Sequence, residues 1–184
     1  MIKYTELKDT KRKVLREVIP LPKPFTLLIE PSSLCNFKCK MCFQSAKEQG
    51  DFKAKRSNMT MECFEKIMHQ AKSWQGEKFK VLKLCIYGEP FMNPHFSEML
   101  KIAKRAEIAE RIETTSNVSL LTEELCRNLV RNGLDYLRVS IYSAIPEKHS
   151  EITNSNVPMQ RIYDNLKMLK RIKEEMHSEK PFLA

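Results

Sequence analysis

No apolar run in this sequence approaches the roughly 18 residues that a bilayer-spanning helix needs, so no membrane span is expected. The first 17 residues are dense in lysine, glutamate and aspartate and contain no apolar core segment. They are therefore not a secretory signal, and the cytoplasm is the compartment expected. There is no low-complexity segment and no repeated sequence motif. The paired C-x2-C spacing of a zinc ribbon is missing as well. Basic residues outnumber acidic ones, giving a formal charge of +9. They are not gathered on one face with interleaved aromatics, as nucleic-acid binding would want. Lys11-Arg12-Lys13 and the stretches 53–56, 101–105 and 170–173 mostly fall on polar sides of expected helices, with acidic residues between them. Solvated helix faces account for them, and a nucleic-acid partner is not expected. A basic rim suited to an acidic electron carrier is a compatible second use.

What is present fits one globular domain: 184 residues, 42% hydrophobic and 30% charged. Residues 1–24 read as a leading amphipathic helix (Tyr4, Leu7, Leu15, Val18) and a stiff connector, Pro20-Leu21-Pro22-Lys23-Pro24. From residue 25 to 184 one pattern holds. Apolar strands at 25–29, 79–87, 111–116 and 136–142 alternate with helices. The first helix is capped by Thr60 and turns Phe64, Ile67, Met68 and Ala71 inward. The second starts at Asn93-Pro94, as N-cap and first-turn proline, and buries Phe96, Met99, Leu100 and Ala103. The third runs from Thr122 to Asn132-Gly133 over Leu125, Leu129 and Val130. The fourth follows Pro158 with Ile162, Leu166, Leu169 and Ile172 inside. Four such units imply an α/β fold with a parallel sheet and helices outside. The last residues, Lys180-Pro181-Phe182-Leu183-Ala184, read as the beginning of a fifth strand. An exposed last edge is unusual, so a piece of a longer protein is expected; a short domain with a disordered tail is the alternative.

Chemistry concentrates at Cys35, Cys39 and Cys42, spaced C-x3-C-x2-C. In a reducing compartment clustered cysteines bind metal or react rather than form disulfides. Thiolates this close suit a soft metal or an iron–sulfur cluster. Three ligands leave one position open, as catalytic metal sites do. Cys63, Cys85 and Cys126 read as core filling. His69, Trp74, His95, His149 and His177 read as surface or packing residues. In parallel α/β folds, sites lie where strands end. Here the four strand ends carry the cysteines, Gly88-Glu89-Pro90, Ser116-Asn117 and Ser140-Ile141-Tyr142-Ser143, so all share one rim.

These segments resemble those of radical S-adenosylmethionine (radical SAM) enzymes. The cysteine motif is preceded by Glu30-Pro31 and followed by Asn36; Gly88-Glu89-Pro90 has Asn93-Pro94 downstream. Thr114-Thr115-Ser116-Asn117 is similar to the family's Thr-Asn-Gly strand end. Leu137-Arg138-Val139-Ser140-Ile141 with Glu147-Lys148-His149 resembles the SPASM/Twitch branch of peptide maturases and aminocyclitol dehydrogenases. The resemblance covers residues 25–184 and implies a partial (β/α) TIM-like barrel, with about four βα units, truncated before its fifth strand. It implies that Cys35, Cys39 and Cys42 hold three irons of a [4Fe-4S] cluster and that S-adenosylmethionine chelates the fourth. Reductive cleavage would give a 5′-deoxyadenosyl radical for hydrogen abstraction from a peptide or small metabolite. Met41 would pack near the adenine; Gly88, Glu89 and Pro90 would meet the methionyl end, Glu89 accepting its ammonium. Ser140 would contact the ribose or the carboxylate, and Ser116 and Asn117 would line the same pocket. An acidic electron donor, flavodoxin or ferredoxin, is implied as partner. Tyr87 and Val118 depart from the family pattern, each standing where a glycine is usual. Two other readings remain: a catalytically incomplete fragment, and a zinc-binding interaction module with His69 or Cys63 as fourth ligand.

Overall fold

The computed structural model describes residues 14–45 and 55–184. Tyr4, Leu7, Lys11-Arg12-Lys13 and Lys53 lie outside the described residues. Within them the leading segment forms a short 3-10 turn, Leu15–Glu17.

The apolar runs build an open parallel sheet whose strands lie in chain order. They are β1 (Thr26–Leu28), β2 (Phe79–Lys83), β3 (Ala109–Ser116), β4 (Tyr136–Val139) and β5 (Phe182–Leu183). Leu27 lies opposite Leu82, Leu82 opposite Ile112, and Leu137 opposite Leu183. This row faces the helices. β5 adds a fifth strand beside β4, as the terminal residues suggested. β2 and β4 end earlier than the apolar runs at 79–87 and 136–142. Cys85 bends away to hydrogen-bond the Gly88 carbonyl, and Ser140 follows β4 as a loop residue.

The helices are α1 (Met61–Ser73), α2 (Phe96–Ala106), α3 (Glu123–Arg131), α4 (Pro146–Thr153) and α5 (Met159–Glu175). Thr60 and Thr122 cap α1 and α3 by accepting the N–H groups of Cys63 and Leu125. Phe64, Phe96, Leu129, Ile162 and Leu169 are fully buried against Leu82, Leu84 and Leu137. Each such side chain contributes about 1.5–3 kcal/mol relative to exposure. Among the described residues no helix is long and apolar enough to cross a membrane.

Two local expectations need correction. Asn93-Pro94 does not open α2. Asn93 instead ends a 3-10 turn, Pro90–Met92, and its side chain accepts the His95 N–H at 2.9 Å, so the helix begins at Phe96. Cys63 is exposed on α1, whereas Cys85 and Cys126 are buried as expected.

Asp135 pins the lower end of the sheet. It is buried before β4, accepting the Ile112 N–H at 2.9 Å and the Lys180 ammonium at 2.6 Å, with Lys104 at 3.4 Å. Burial alone would push its carboxyl up, but the Lys180 and Ile112 hydrogen bonds and the Lys104 charge outweigh it. The result lies below the usual value. A depressed carboxyl stabilises the fold above its unfolded pKa, near 3.9, and that contribution is lost as pH falls through the folded value. Asp135→Asn is expected to cost about 1–3 kcal/mol at neutral pH. The gap in urea midpoint between it and the parent chain should shrink as pH falls below about 4. A gap that stays constant with pH would contradict the assignment.

Candidate metal and cofactor site

The rim is assembled by backbone hydrogen bonds that cross from loop to loop. After β1, the Ile29 N–H still reaches the Lys83 carbonyl at 2.9 Å. Glu30 then turns its carboxylate onto the Tyr87 and Gly88 N–H groups, at 2.6 and 2.9 Å. The Glu89 N–H returns to the Leu34 carbonyl at 2.7 Å. Gly88 is required by this approach: a Cβ there would stand 2.8 Å from the Ser32 carbonyl carbon and 2.9 Å from the Leu34 oxygen. Asn93, buried, clips the opposite side by donating to the Pro31 and Met59 carbonyls at 2.8 and 3.0 Å.

The cysteine loop also rests on α4. The Lys38 and Lys40 N–H groups, flanking Cys39, donate to the Thr153 and Ile152 carbonyls at 3.1 and 2.9 Å. These are carbonyls at the C-terminal end of a helix, which lack intrahelical partners. Thr153 returns its hydroxyl to the His149 carbonyl at 2.8 Å, and His149 Nδ1 accepts the Tyr142 N–H at 3.4 Å. His149 is thus a packing residue, as expected, but one that braces the metal loop. The surface pair Lys40–Glu151 at 2.7 Å adds little.

Cys35, Cys39 and Cys42 are free and half-buried. Burial, followed by the neighbouring Cys35 and Cys42, pushes the Cys39 thiol up to about 11. Burial likewise raises Cys35, with Glu89 and Cys42 adding to it against the Phe37 N–H and Arg56. The thiols are near enough to feel one another's charge. Three free thiols on one loop suit a multi-iron cluster, in which each thiolate binds a different iron. Cys63 and His69 lie on the exposed side of α1, so neither completes a zinc site. The donor set fits the cluster.

Beside the cysteines lies Glu89, only 3% exposed. Its carboxylate accepts the Ser116 hydroxyl at 2.7 Å, the Asn117 N–H at 2.8 Å and the Phe91 N–H at 3.2 Å. Burial raises its carboxyl against these three donors, with no cation contributing among the described residues. Asn117 donates to Asn36, the residue after Cys35, at 3.0 Å, and Asn36 donates to Ser119 at 2.8 Å. Ser116 and Asn117 therefore spend their polar groups on Glu89 and the cysteine loop, acting as positioning residues. Val118 keeps the glycine-like backbone of its position, at φ 53°, with its side chain in the core. That left-handed conformation is costly for a β-branched residue. Its carbonyl, held by Asn165 at 2.8 Å, and its N–H, given to Ser116 at 2.8 Å, fix it there.

Ser140 reaches the same rim, its N–H on the Ser116 carbonyl at 2.9 Å. Met41 is exposed on the cysteine loop and Pro90 is buried in the turn after Glu89. The structure thus gathers the cysteines, Gly88, Glu89, Pro90, Ser116, Asn117 and Ser140. Sequence reasoning missed Ser119 and the bracing by α4. Glu30 and Asn36 carried no role there, and Asn93 stood as a helix N-cap rather than as the clip onto Pro31 and Met59. An Asn-x-Ser turn after a strand was the available signal for Ser119.

The superfamily model described as Radical SAM matches residues 29–176. The chain belongs to the radical SAM superfamily. Proteins of this superfamily use a [4Fe-4S] cluster and S-adenosylmethionine. The radical SAM chain is 31% identical, over 86% of its length, to the tungsten-containing aldehyde ferredoxin oxidoreductase cofactor-modifying protein of Pyrococcus furiosus, covering 42% of that protein. It is 28% identical, over 78% of its length, to a GTP 3′,8-cyclase of Aquifex aeolicus, covering 43% of it. The chain thus spans about two-fifths of the length of these curated relatives. In fold it is similar to Streptococcus suis SuiB bound to precursor peptide SuiA, with a TM-score of 0.66 and 21% identity, over 86% of this chain and 33% of SuiB.

Proposed function

We propose that this chain is the radical-generating part of a radical SAM oxidoreductase or maturase, with Cys35, Cys39 and Cys42 as cluster ligands. The observation that carries this reading is the direct bond from the Glu89 N–H to the Leu34 carbonyl. It sets three half-buried free thiols beside a buried carboxylate that has no cation partner among the described residues. Cys35, Cys39 and Cys42 would hold a cluster that, when reduced, would supply the electron for reductive cleavage of S-adenosylmethionine, iron–sulfur potentials reaching as low as about −700 mV.

The chain's own residues bind and orient. Glu89 accepts the ligand ammonium, and Gly88 lets the backbone close over the cysteine loop. Met41 offers an apolar contact to the adenine, and the Ser140 hydroxyl a hydrogen bond to ribose or carboxylate. Exposed Lys38 and Lys40 flank Cys39 and favour an acidic electron donor such as flavodoxin or ferredoxin. The relatives' names span GTP, another enzyme's cofactor and a precursor peptide, so what they share is radical generation. Hydrogen abstraction from a peptide or small metabolite is the class of reaction proposed.

Anaerobic reconstitution with iron and sulfide, then reduction in the presence of S-adenosylmethionine, tests the reading. Iron–sulfur absorption and formation of 5′-deoxyadenosine are the expected results. Absence of the absorption sinks the proposal. A second reading, a catalytically incomplete piece, is favoured by the open sheet and the chain's two-fifths span. A loaded cluster without 5′-deoxyadenosine would select it.

A further inference from the structure

The sheet face opposite the helices carries charge that radical generation does not use. Lys83, Arg111, Glu113 and Arg138 alternate with Leu82, Ile112 and Leu137, which are buried on the helix side. The register sets Lys83 opposite Glu113 and Arg138 opposite Thr115. Three strands thus contribute three cations around one carboxylate, a net charge of 3 − 1 = +2. Glu113 is 6% exposed. Its carboxylate stands 3.7 Å from Arg111 Nε and 3.9 Å from an Arg138 nitrogen, longer than hydrogen bonds. Arg111 Nε is buried with no hydrogen-bond partner among the described residues, and its guanidinium lies over the Tyr136 ring at 4.9 Å. Tyr136 in turn packs on Phe182 at 5.4 Å. One guanidinium is thus held in place by an aromatic ring while part of its hydrogen-bonding capacity is unspent. Arg138 is half exposed. It precedes Ser140 by two residues, so Arg138 is the cation nearest the residue assigned to S-adenosylmethionine, about 7 Å along the chain, with Lys83 and Arg111 further down the same face.

We propose that Lys83, Arg111 and Arg138 form a substrate subsite for an anionic group, a phosphate or a carboxylate. Glu113 spaces the two guanidiniums, whose planar forks suit either group. The inference rests on the radical SAM reading, and it adds that the substrate enters with its anionic group toward β3 and β4.

The test is calorimetric titration of the reconstituted chain with inorganic pyrophosphate and, separately, succinate. Binding of at least one is expected, weakened about tenfold by Arg138→Gln and by Lys83→Gln, as loss of a charge-assisted bond predicts. Lys167→Gln, on the outer side of α5, should leave it unchanged. Pyrophosphate binding alone assigns a phosphorylated substrate; succinate binding alone assigns a carboxylate. Binding of neither overturns the proposal. So does binding that Lys167→Gln weakens as much as Arg138→Gln, or that both Arg138→Gln and Lys83→Gln leave intact. Cluster absorption in the same parent sample separates the two failures. Without a cluster the radical SAM reading fails; with a cluster and no anion binding, only this inference does.

Discussion

Replacing Cys35, Cys39 and Cys42 together by alanine is expected to remove all iron–sulfur absorption and all 5′-deoxyadenosine formation while leaving the fold intact. Under the proposed reading each thiol would be a ligand that only a thiolate replaces well, because a soft iron site does not accept a methyl group. The fold is expected to survive because the loop is held elsewhere: by Glu30 on the Gly88 turn, Asn93 on Pro31, and α4 on Lys38 and Lys40. None of these bonds uses a cysteine side chain. The Phe37 N–H does donate to Cys35 Sγ at 3.4 Å, so its loss costs about 1 kcal/mol. Burial raises the Cys35 and Cys39 thiols, so loading the parent chain must expel protons and should become less favourable as pH falls. Iron and sulfide content together with far-UV circular dichroism check the outcome. Cluster absorption that survives the triple substitution would disprove the ligand assignment.

The sequence made the alternating architecture readable because its signals are local. The apolar runs of β1 to β4 and the caps Thr60 and Thr122 need no distant partner to be recognised. What escaped depends on contacts across the chain. In α4, Glu147, Lys148, Ser150 and Glu151 leave only His149 and Thr153 buried. Its apolar periodicity is therefore weak, and its place is set by carbonyls that meet the cysteine loop. Cys63 failed for a geometric reason. The inward stripe of α1 runs through Phe64, Met68 and Ala71, and one residue back is a rotation of about 100°. Asn93-Pro94 carried a valid helix-start signal, but the Asn93 side chain was also needed by Pro31 and Met59, and the helix starts later. The rim itself was readable because each strand end carries polar residues. The division of labour among them was not. That Ser116 and Asn117 serve Glu89 depends on contacts 27 and 28 residues apart in the chain.

Glu89→Gln is expected to weaken S-adenosylmethionine binding by about 10–150-fold, the worth of a hydrogen bond to a charged group, roughly 1.5–3 kcal/mol. The carboxylate is buried among three donors and lacks a cation among the described residues, so burial pushes its carboxyl up. An incoming ammonium supplies the missing positive charge in a poorly screened setting, where its attraction exceeds that in water. Glutamine keeps the size but removes the charge. Its oxygen can still accept the Asn117 N–H, while its amide nitrogen faces the Ser116 hydroxyl, which can rotate to accept. The Phe91 N–H, now 3.2 Å from the same side-chain oxygen as Ser116, would then face a nitrogen and lose its acceptor. That local loss costs about 1 kcal/mol of stability, a small effect beside the binding defect. Equilibrium binding of S-adenosylmethionine to cluster-loaded protein, with iron content matched between parent and variant, separates the two. Parent-like affinity in Glu89→Gln would show that the ammonium is held elsewhere. A defect confined to cluster loading would instead make Glu89 a support for the cysteine loop, through Asn117 and Asn36.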